Sequence, residues 1–202
     1  MAIIENLEAF HEELARRDLK EYKLDRHFLI KSTVDKKNPT SLKHEMAIEA
    51  SMCEILSKED RAPFGCWDYI SHQVIASPFK PIDYMDKMDL FGYKYIQGYK
   101  IKSKYMVAEI KKDSATIDVI EQIMKYVDWI SNEYAYKDYS MIEAYIIAKE
   151  FSKDVIDLAK QFCIRNYTKG FRPSKHHIWN NIKLVKYSVQ NDDIYFSTVK
   201  ID

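Results

Sequence analysis

Tyr105-Met106-Val107-Ala108-Glu109-Ile110-Lys111 is an apolar, strand-forming run that closes on an acid and a lysine one residue apart. Side chains alternate across a strand, so Glu109 and Lys111 point to one face. Upstream, Met88 to Ile96 reads as a strand that turns near Gln97-Gly98 into a second, Tyr99 to Ile110, giving an antiparallel pair. The first of these strands carries Asp89 in Met88-Asp89-Leu90-Phe91-Gly92. Downstream, Ile117, Ile120, Ile123, Met124, Val127 and Ile130 recur at helical spacing, which predicts a helix over Thr116 to Asn132. Gln122 and Tyr126 lie four apart and share a face of that helix.

Beyond this unit, Met141 to Ala148 is nearly continuous apolar sequence, the mark of a central strand buried on both faces. Ser152 to Cys163 reads as a further helix, and Ile182 to Val189 with Ile194 to Val199 as a closing hairpin. On the N-terminal side, Trp67 to Ala76 is a β-rich stretch. Before it, Ser41 is placed as the cap of a helix reaching about Ser57, and Pro63 breaks the chain within Arg61 to Gly65. Lys31 to Thr40 is polar loop around Asn38-Pro39, and Ile3, Leu7, Phe10 and Leu14 predict an amphipathic helix over Ile3 to Glu21. The expected fold class is therefore α/β, a mixed β-sheet flanked by helices. The expected division is an N-terminal helical extension over 1–40 and a single α/β domain over 41–202.

Composition excludes several classes. With 202 residues, 47% apolar and 31% charged, the chain has a globular profile. No apolar run approaches the roughly 20 residues needed to span a bilayer. Glu5, Glu8, Glu12 and Glu13 do not fit a signal peptide. Cys53, Cys66 and Cys163 are odd in number and far apart, as expected of buried thiols in a reducing compartment, so a cytoplasmic address is expected. No glycine loop of the nucleotide-binding type and no Gly-x-Ser-x-Gly is present, so neither a nucleotide cofactor nor serine-based hydrolysis is expected.

The charged residues around the first strand pair fit one chemistry. Hydrolysis of a phosphodiester needs an activated water, a stabilised anion and a neutralised leaving group, and divalent ions held by carboxylates serve all three. Asp89 and Glu109 are the candidate ligands, with the Ile110 backbone carbonyl as a third, for Mg2+ or Mn2+. Lys111 could orient or deprotonate the water, or stabilise charge on the phosphate. Asp83, Asp86 and Asp113 compete with Asp89 for its role, and Glu-x-Lys alone recurs in most proteins of this size. Taken in order, the set is far more specific: a strand acid, a return strand ending in Glu-x-Lys, then a helix carrying Gln-x-x-x-Tyr.

That ordered set resembles the PD-(D/E)xK nuclease superfamily, and most of all the catalytic domain of the NucS/EndoMS type of DNA endonuclease. The residues that carry the likeness are Met88-Asp89-Leu90, Ala108-Glu109-Ile110-Lys111 and Gln122-Ile123-Met124-Lys125-Tyr126-Val127-Asp128-Trp129. It covers Met88 to Arg165, less than half the chain. The resemblance implies a restriction-endonuclease-like sheet, Mg2+ or Mn2+ dependence, and Asp89, Glu109, Lys111, Gln122 and Tyr126 as the active-site set. Many members of the superfamily add a glutamate from the first core helix. Glu45 and Glu49 are the candidates, with Glu49 preferred because it adjoins the apolar Ile48–Met52 face. The family's N-terminal DNA-binding β domain has no counterpart in Met1 to Phe64, and the stretch between Asp89 and Glu109 is longer than usual.

Formal net charge is zero, but Ile164 to Ser188 contains Arg165, Lys169, Arg172, Lys175, Lys183, Lys186, His176 and His177 and no acid. Tyr167, Phe171, Trp179 and Tyr187 are interleaved, a composition suited to a nucleic-acid backbone or to a solvated loop. Arg165, Lys169, Arg172, Lys175 and His176 are the candidate contacts. His72, inside an apolar strand, is read as a core histidine. The Tyr93, Tyr95, Tyr99 and Tyr105 series is read as strand packing with an exposed subset able to stack on bases. The functional expectation is a DNA endonuclease of the restriction, defence or repair type, acting on DNA, with a homodimer plausible. Its rivals are a catalytically silent nuclease-fold module that binds nucleic acid or a protein, and a plain Glu109–Lys111 strand-end salt bridge.

Overall fold

A computed structural model describes residues 25–77 and 86–201. The N-terminal helix expected over Ile3 to Glu21 and the competing acid Asp83 lie outside the described residues. The elements run α1 (Arg26–Thr33), α2 (Glu45–Lys58), β1 (Tyr69–Ile75), β2 (Lys87–Tyr95), β3 (Lys102–Ala115), α3 (Asp118–Glu133), a 3-10 turn (Tyr139–Met141), β4 (Ile142–Phe151), α4 (Lys153–Phe162), β5 (Arg165–Lys169), β6 (Lys175–Trp179), β7 (Ile182–Gln190) and β8 (Asp193–Val199). Among the described residues no helix is long and apolar enough to cross a membrane.

Six strands form one sheet in the order β1-β2-β3-β4-β7-β8, with β5 and β6 as a separate two-stranded ribbon. The β1–β2, β2–β3 and β7–β8 pairs are antiparallel, while β3–β4 and β4–β7 are parallel. This is the expected α/β fold, a mixed sheet flanked by helices. Its centre follows from alternation on β4. Ile142, Ala144, Ile146 and Ala148 pack into one cluster with α3 and α4, whereas Tyr145 and Ile147 pack into the other with α1 and α2. Both faces are thus apolar, which is why the sequence there reads as a nearly continuous hydrophobic run.

The helices form where local signals agree. On α3, Val119, Ile120, Ile123, Met124, Val127 and Ile130 are buried along one stripe. Ser152 caps α4 by accepting from the Val155 amide. Ser41 does not cap α2. That helix begins four residues later, after His44, and Ser41 is buried instead, with its hydroxyl 2.9 Å from the Tyr187 hydroxyl. The Ser41 oxygen does not accept from a helix amide as a cap would; its partner lies 146 residues away.

Two other boundaries and one strand pairing differ from expectation. Residues Arg26–Thr33 are helical, so the polar loop expected from Lys31 starts after Thr33. Strand β3 does not stop at Ile110 but runs to Ala115, with an irregularity against β4 between Lys111 and Ser114. The C-terminal hairpin forms as expected, but its first strand also pairs in parallel with β4 and so extends the main sheet.

Two features of β1 and β2 set the place of Asp89. At Gly92 an added Cβ would stand 2.6 Å from Ile70 Cδ1 and 2.8 Å from the Tyr69 carbonyl oxygen, so only glycine allows the strands to pass this closely. At Gln73 the backbone is left-handed (φ 52), although His72↔Leu90 and Val74↔Met88 keep one register on either side. Ile70 and Leu90 pack with α2, whereas Val74 and Met88, of the same parity along their strands, pack with α3. The strand pair therefore turns over between them, at Gln73 and Asp89.

Candidate active site

Strands β2 and β3 separate at the place where the acids lie. Their last paired residues are Leu90 and Ala108; beyond that β2 pairs with β1, and β3 with β4. In the fork, the Ile110 N–H donates to Asp89 Oδ2 at 2.7 Å in place of a strand partner. A residue's N–H and C=O leave an extended strand on the same side, so the Ile110 carbonyl also faces the fork. Glu109 is 1% exposed, and its Oε1 accepts from Lys111 Nζ at 2.8 Å. The i, i+2 spacing on one strand face produces this contact directly.

The first core helix adds two carboxylates. Glu49 is buried, and its Oε2 accepts from Gln73 Nε2 at 3.1 Å. Glu45 Oε1 accepts from the Lys112 amide at 3.1 Å. Both candidate helix acids therefore border the fork. From the other side of the sheet, Gln122 Nε2 donates to the Tyr126 hydroxyl at 3.0 Å, and that hydroxyl donates to the Lys87 carbonyl at 2.8 Å. Tyr126 is buried, and its phenol is pushed up to about 12 chiefly by that burial. Removing the hydroxyl in Tyr126→Phe should cost about 1 kcal/mol in a denaturant titration. An unchanged midpoint would show that the link to Lys87 contributes nothing to β2.

The electrostatics are lopsided. Among the described residues, the carboxylates of Glu45, Glu49, Asp89 and Glu109 act on a region where Lys111 supplies the ammonium. Burial pushes Glu109 up to about 7, aided by the charge of Asp89 and opposed by Lys111. Burial likewise pushes Asp89 up to about 6, against the Ile110 N–H and with the charge of Glu49. Burial disfavours the Lys111 ammonium, but its bond to Glu109 and the surrounding acids outweigh this and hold it above the usual lysine range. The second Glu109 oxygen, Oε2, is buried with no hydrogen-bond partner among the described residues.

These residues suit a hard divalent cation. Buried carboxylate oxygens short of positive charge, one of them orphaned, are what such an ion satisfies. Among the described residues no group of three or more His, Cys, Asp or Glu side chains converges to hold a metal. Protein ligation would therefore rest on Asp89, Glu109 and the Ile110 carbonyl, with water filling the remaining positions, as Mg2+ commonly allows.

Sequence reasoning missed two residues here. Gln73 joins Glu49 to Asp89, donating to Asp89 Oδ1 at 3.2 Å as well. His72 is no core histidine: its side chain is 53% exposed, with Nδ1 3.6 Å from Glu49 Oε2. The apolar neighbours of His72 pack on opposite faces of the sheet, Ile70 before and Val74 after the turnover at Gln73, which the sequence pattern does not show. Of the competing acids, Asp113 is 74% exposed and pairs with Lys112.

The basic candidates are not at the fork. Arg165, Lys169, Lys175 and His176 belong to the β5–β6 ribbon, and Arg172 to its connecting turn. The ribbon is tied to the other end of β4, where Trp179 Nε1 donates to the Ile142 carbonyl. Ile142 pairs with Tyr105, four residues before Glu109 on β3. Much of the ribbon's charge is already matched: Arg165 binds Asp128 and Lys169 binds Asp138, as Lys183 on β7 binds Glu143. Among the described residues Arg172 and Lys175 have no carboxylate partner, and the Arg172 guanidinium lies over the exposed Phe171 ring. The tyrosine series divides as read: Tyr105 is buried, while Tyr95 and Tyr99 are exposed.

No protein-family model matches this chain, and no curated protein matches it either. Among solved structures, a repair endonuclease from Pyrococcus abyssi is similar at 22% identity and a TM-score of 0.30, over 41% of this chain and 31% of that one. This chain thus spans about a third of that protein's length. At that TM-score the likeness establishes neither ancestry nor activity, and a functional reading has to stand on the fork itself.

Proposed function

We propose that this chain is a metal-dependent DNA endonuclease that hydrolyses phosphodiester bonds at the β2–β3 fork. The observation that carries the reading is the buried, unpartnered Glu109 Oε2 beside Asp89, with Lys111 Nζ 2.8 Å from the other Glu109 oxygen. A plain strand-end salt bridge has no need for the charges of Asp89 and Glu45 to act on a buried acid. A bound Mg2+ or Mn2+ would supply charge neutralisation and activation of water. Asp89, Glu109 and the Ile110 carbonyl would hold it. Lys111, released from part of its bond to Glu109, would direct its ammonium at the scissile phosphate or the attacking water. Gln122 and Tyr126 fix the start of β2 and so the position of Asp89.

DNA contact would extend over the β5–β6 ribbon, where Arg172 and Lys175 are the cations left to meet phosphates. The test is cleavage of single-stranded, duplex, mismatched and branched DNA with Mg2+ or Mn2+, beside Asp89→Ala and Glu109→Ala. Cutting that needs metal and disappears in both variants is the expected result. Cutting by none, with DNA still bound, would favour the non-cleaving binding module. Charge reversal in Arg172→Glu with Lys175→Glu should weaken DNA binding about tenfold or more at low salt and flatten its salt dependence. An unchanged salt slope would remove the ribbon from the interface.

A further inference from the structure

Gln73 has no part in the proposed hydrolysis, yet it is placed as if the fork were built around it. Its amide nitrogen carries two N–H groups, and two carboxylates take them: Glu49 Oε2 at 3.1 Å and Asp89 Oδ1 at 3.2 Å. Since Asp89 Oδ2 is held by the Ile110 N–H, both Asp89 oxygens are engaged, one by the backbone and one by Gln73. Only the second engagement can be withdrawn without disturbing β3.

The backbone at Gln73 is costly. A left-handed φ of 52 within a strand is unfavourable for a residue with a side chain and persists where its surroundings hold it. Gln73 is exposed, so no core packing does this. The strand pairs His72↔Leu90 and Val74↔Met88 bracket the turn, and the side chain adds two charge-assisted hydrogen bonds to it.

We propose that Gln73 is a positioning residue that braces Glu49 against Asp89 while the fork holds no cation, and that it yields when one binds. This rests on the fork being a cation site. The amide presents N–H groups, which satisfy carboxylates but repel a cation. A divalent ion compensates the same negative charge more fully, so amide and ion compete for it. The side chain must then turn its oxygen inward or swing into solvent, which its exposure permits. Gln73 therefore lowers metal affinity while stabilising the metal-free protein.

The experiment is calorimetric titration of Mn2+ and Mg2+ into wild type, Gln73→Ala and Gln73→Gly at about pH 8, with melting temperatures measured without metal. Gln73→Ala should bind the ion about tenfold more tightly than wild type and melt lower without it. Gln73→Gly should show the same gain in affinity with a smaller loss in melting temperature, because glycine accepts this φ without strain. Binding in Gln73→Ala that is equal to or weaker than wild type would overturn the proposal and leave Gln73 a scaffold or a ligand. A wild type that binds no ion at all would overturn it together with the cation-site reading, a result distinct from the first.

Discussion

Lys111→Met should lower cleavage by about 10²–10⁴-fold and also destabilise the metal-free protein, but only where Glu109 is charged. The Glu109 side chain is 2% exposed, and among the described residues Lys111 supplies its only hydrogen bond from a cation. Removing one partner of a buried pair leaves an uncompensated charge, typically at a cost of about 3 kcal/mol. Glu109 already sits near 7, so it is largely protonated at about pH 5 and the pair contributes little there. The loss should therefore be large in denaturant titrations at about pH 8 and small at about pH 5. Equal losses at the two pH values would mean that Lys111 acts through its aliphatic stem and not through its charge.

The second large effect is on the pH dependence of the metal-free fold. Glu109 is raised from 4.5 to about 7 and Asp89 from 3.8 to about 6. Between those limits the native state holds protons that the unfolded chain has released, so stability falls as pH rises through the window. Each unit of difference corresponds to about 1.4 kcal/mol, which makes Glu109 alone worth up to about 3 kcal/mol. Glu109→Gln keeps an oxygen for Lys111 and removes the titration. It should therefore be more stable than wild type at about pH 8, nearly equal at about pH 4, and inactive. Wild-type and variant stabilities that run parallel from pH 4 to 8 would show that Glu109 does not titrate in this range.

The parts of this site that were legible in the sequence are those made by short spacing. Glu109 and Lys111 meet because strand side chains repeat at two, and Gln122 meets Tyr126 because helix side chains repeat near four. The central strand β4 was legible because burial on both faces from Ala144 to Ala148 leaves no polar position there to confuse the pattern. Gln73 was not, because its role depends on a backbone inversion that no residue type announces. The β5–β6 ribbon was not, because β6 buries only Trp179 and so shows no alternation of apolar and polar residues. Its acid-free sequence also exaggerated the free charge. The acids that neutralise Arg165 and Lys169 come from α3 and from the turn before β4, at Asp128 and Asp138.

Cleavage, the role of Lys111 and the yielding of Gln73 all require that the buried acids of the fork form a cation site. Isothermal titration of Mn2+ into the metal-free wild type at about pH 8, beside Glu109→Gln, measures this without reference to DNA. The expected result is saturable binding by wild type, reduced at least about tenfold in affinity in the variant. Binding of equal strength by both proteins, or by neither, would contradict it.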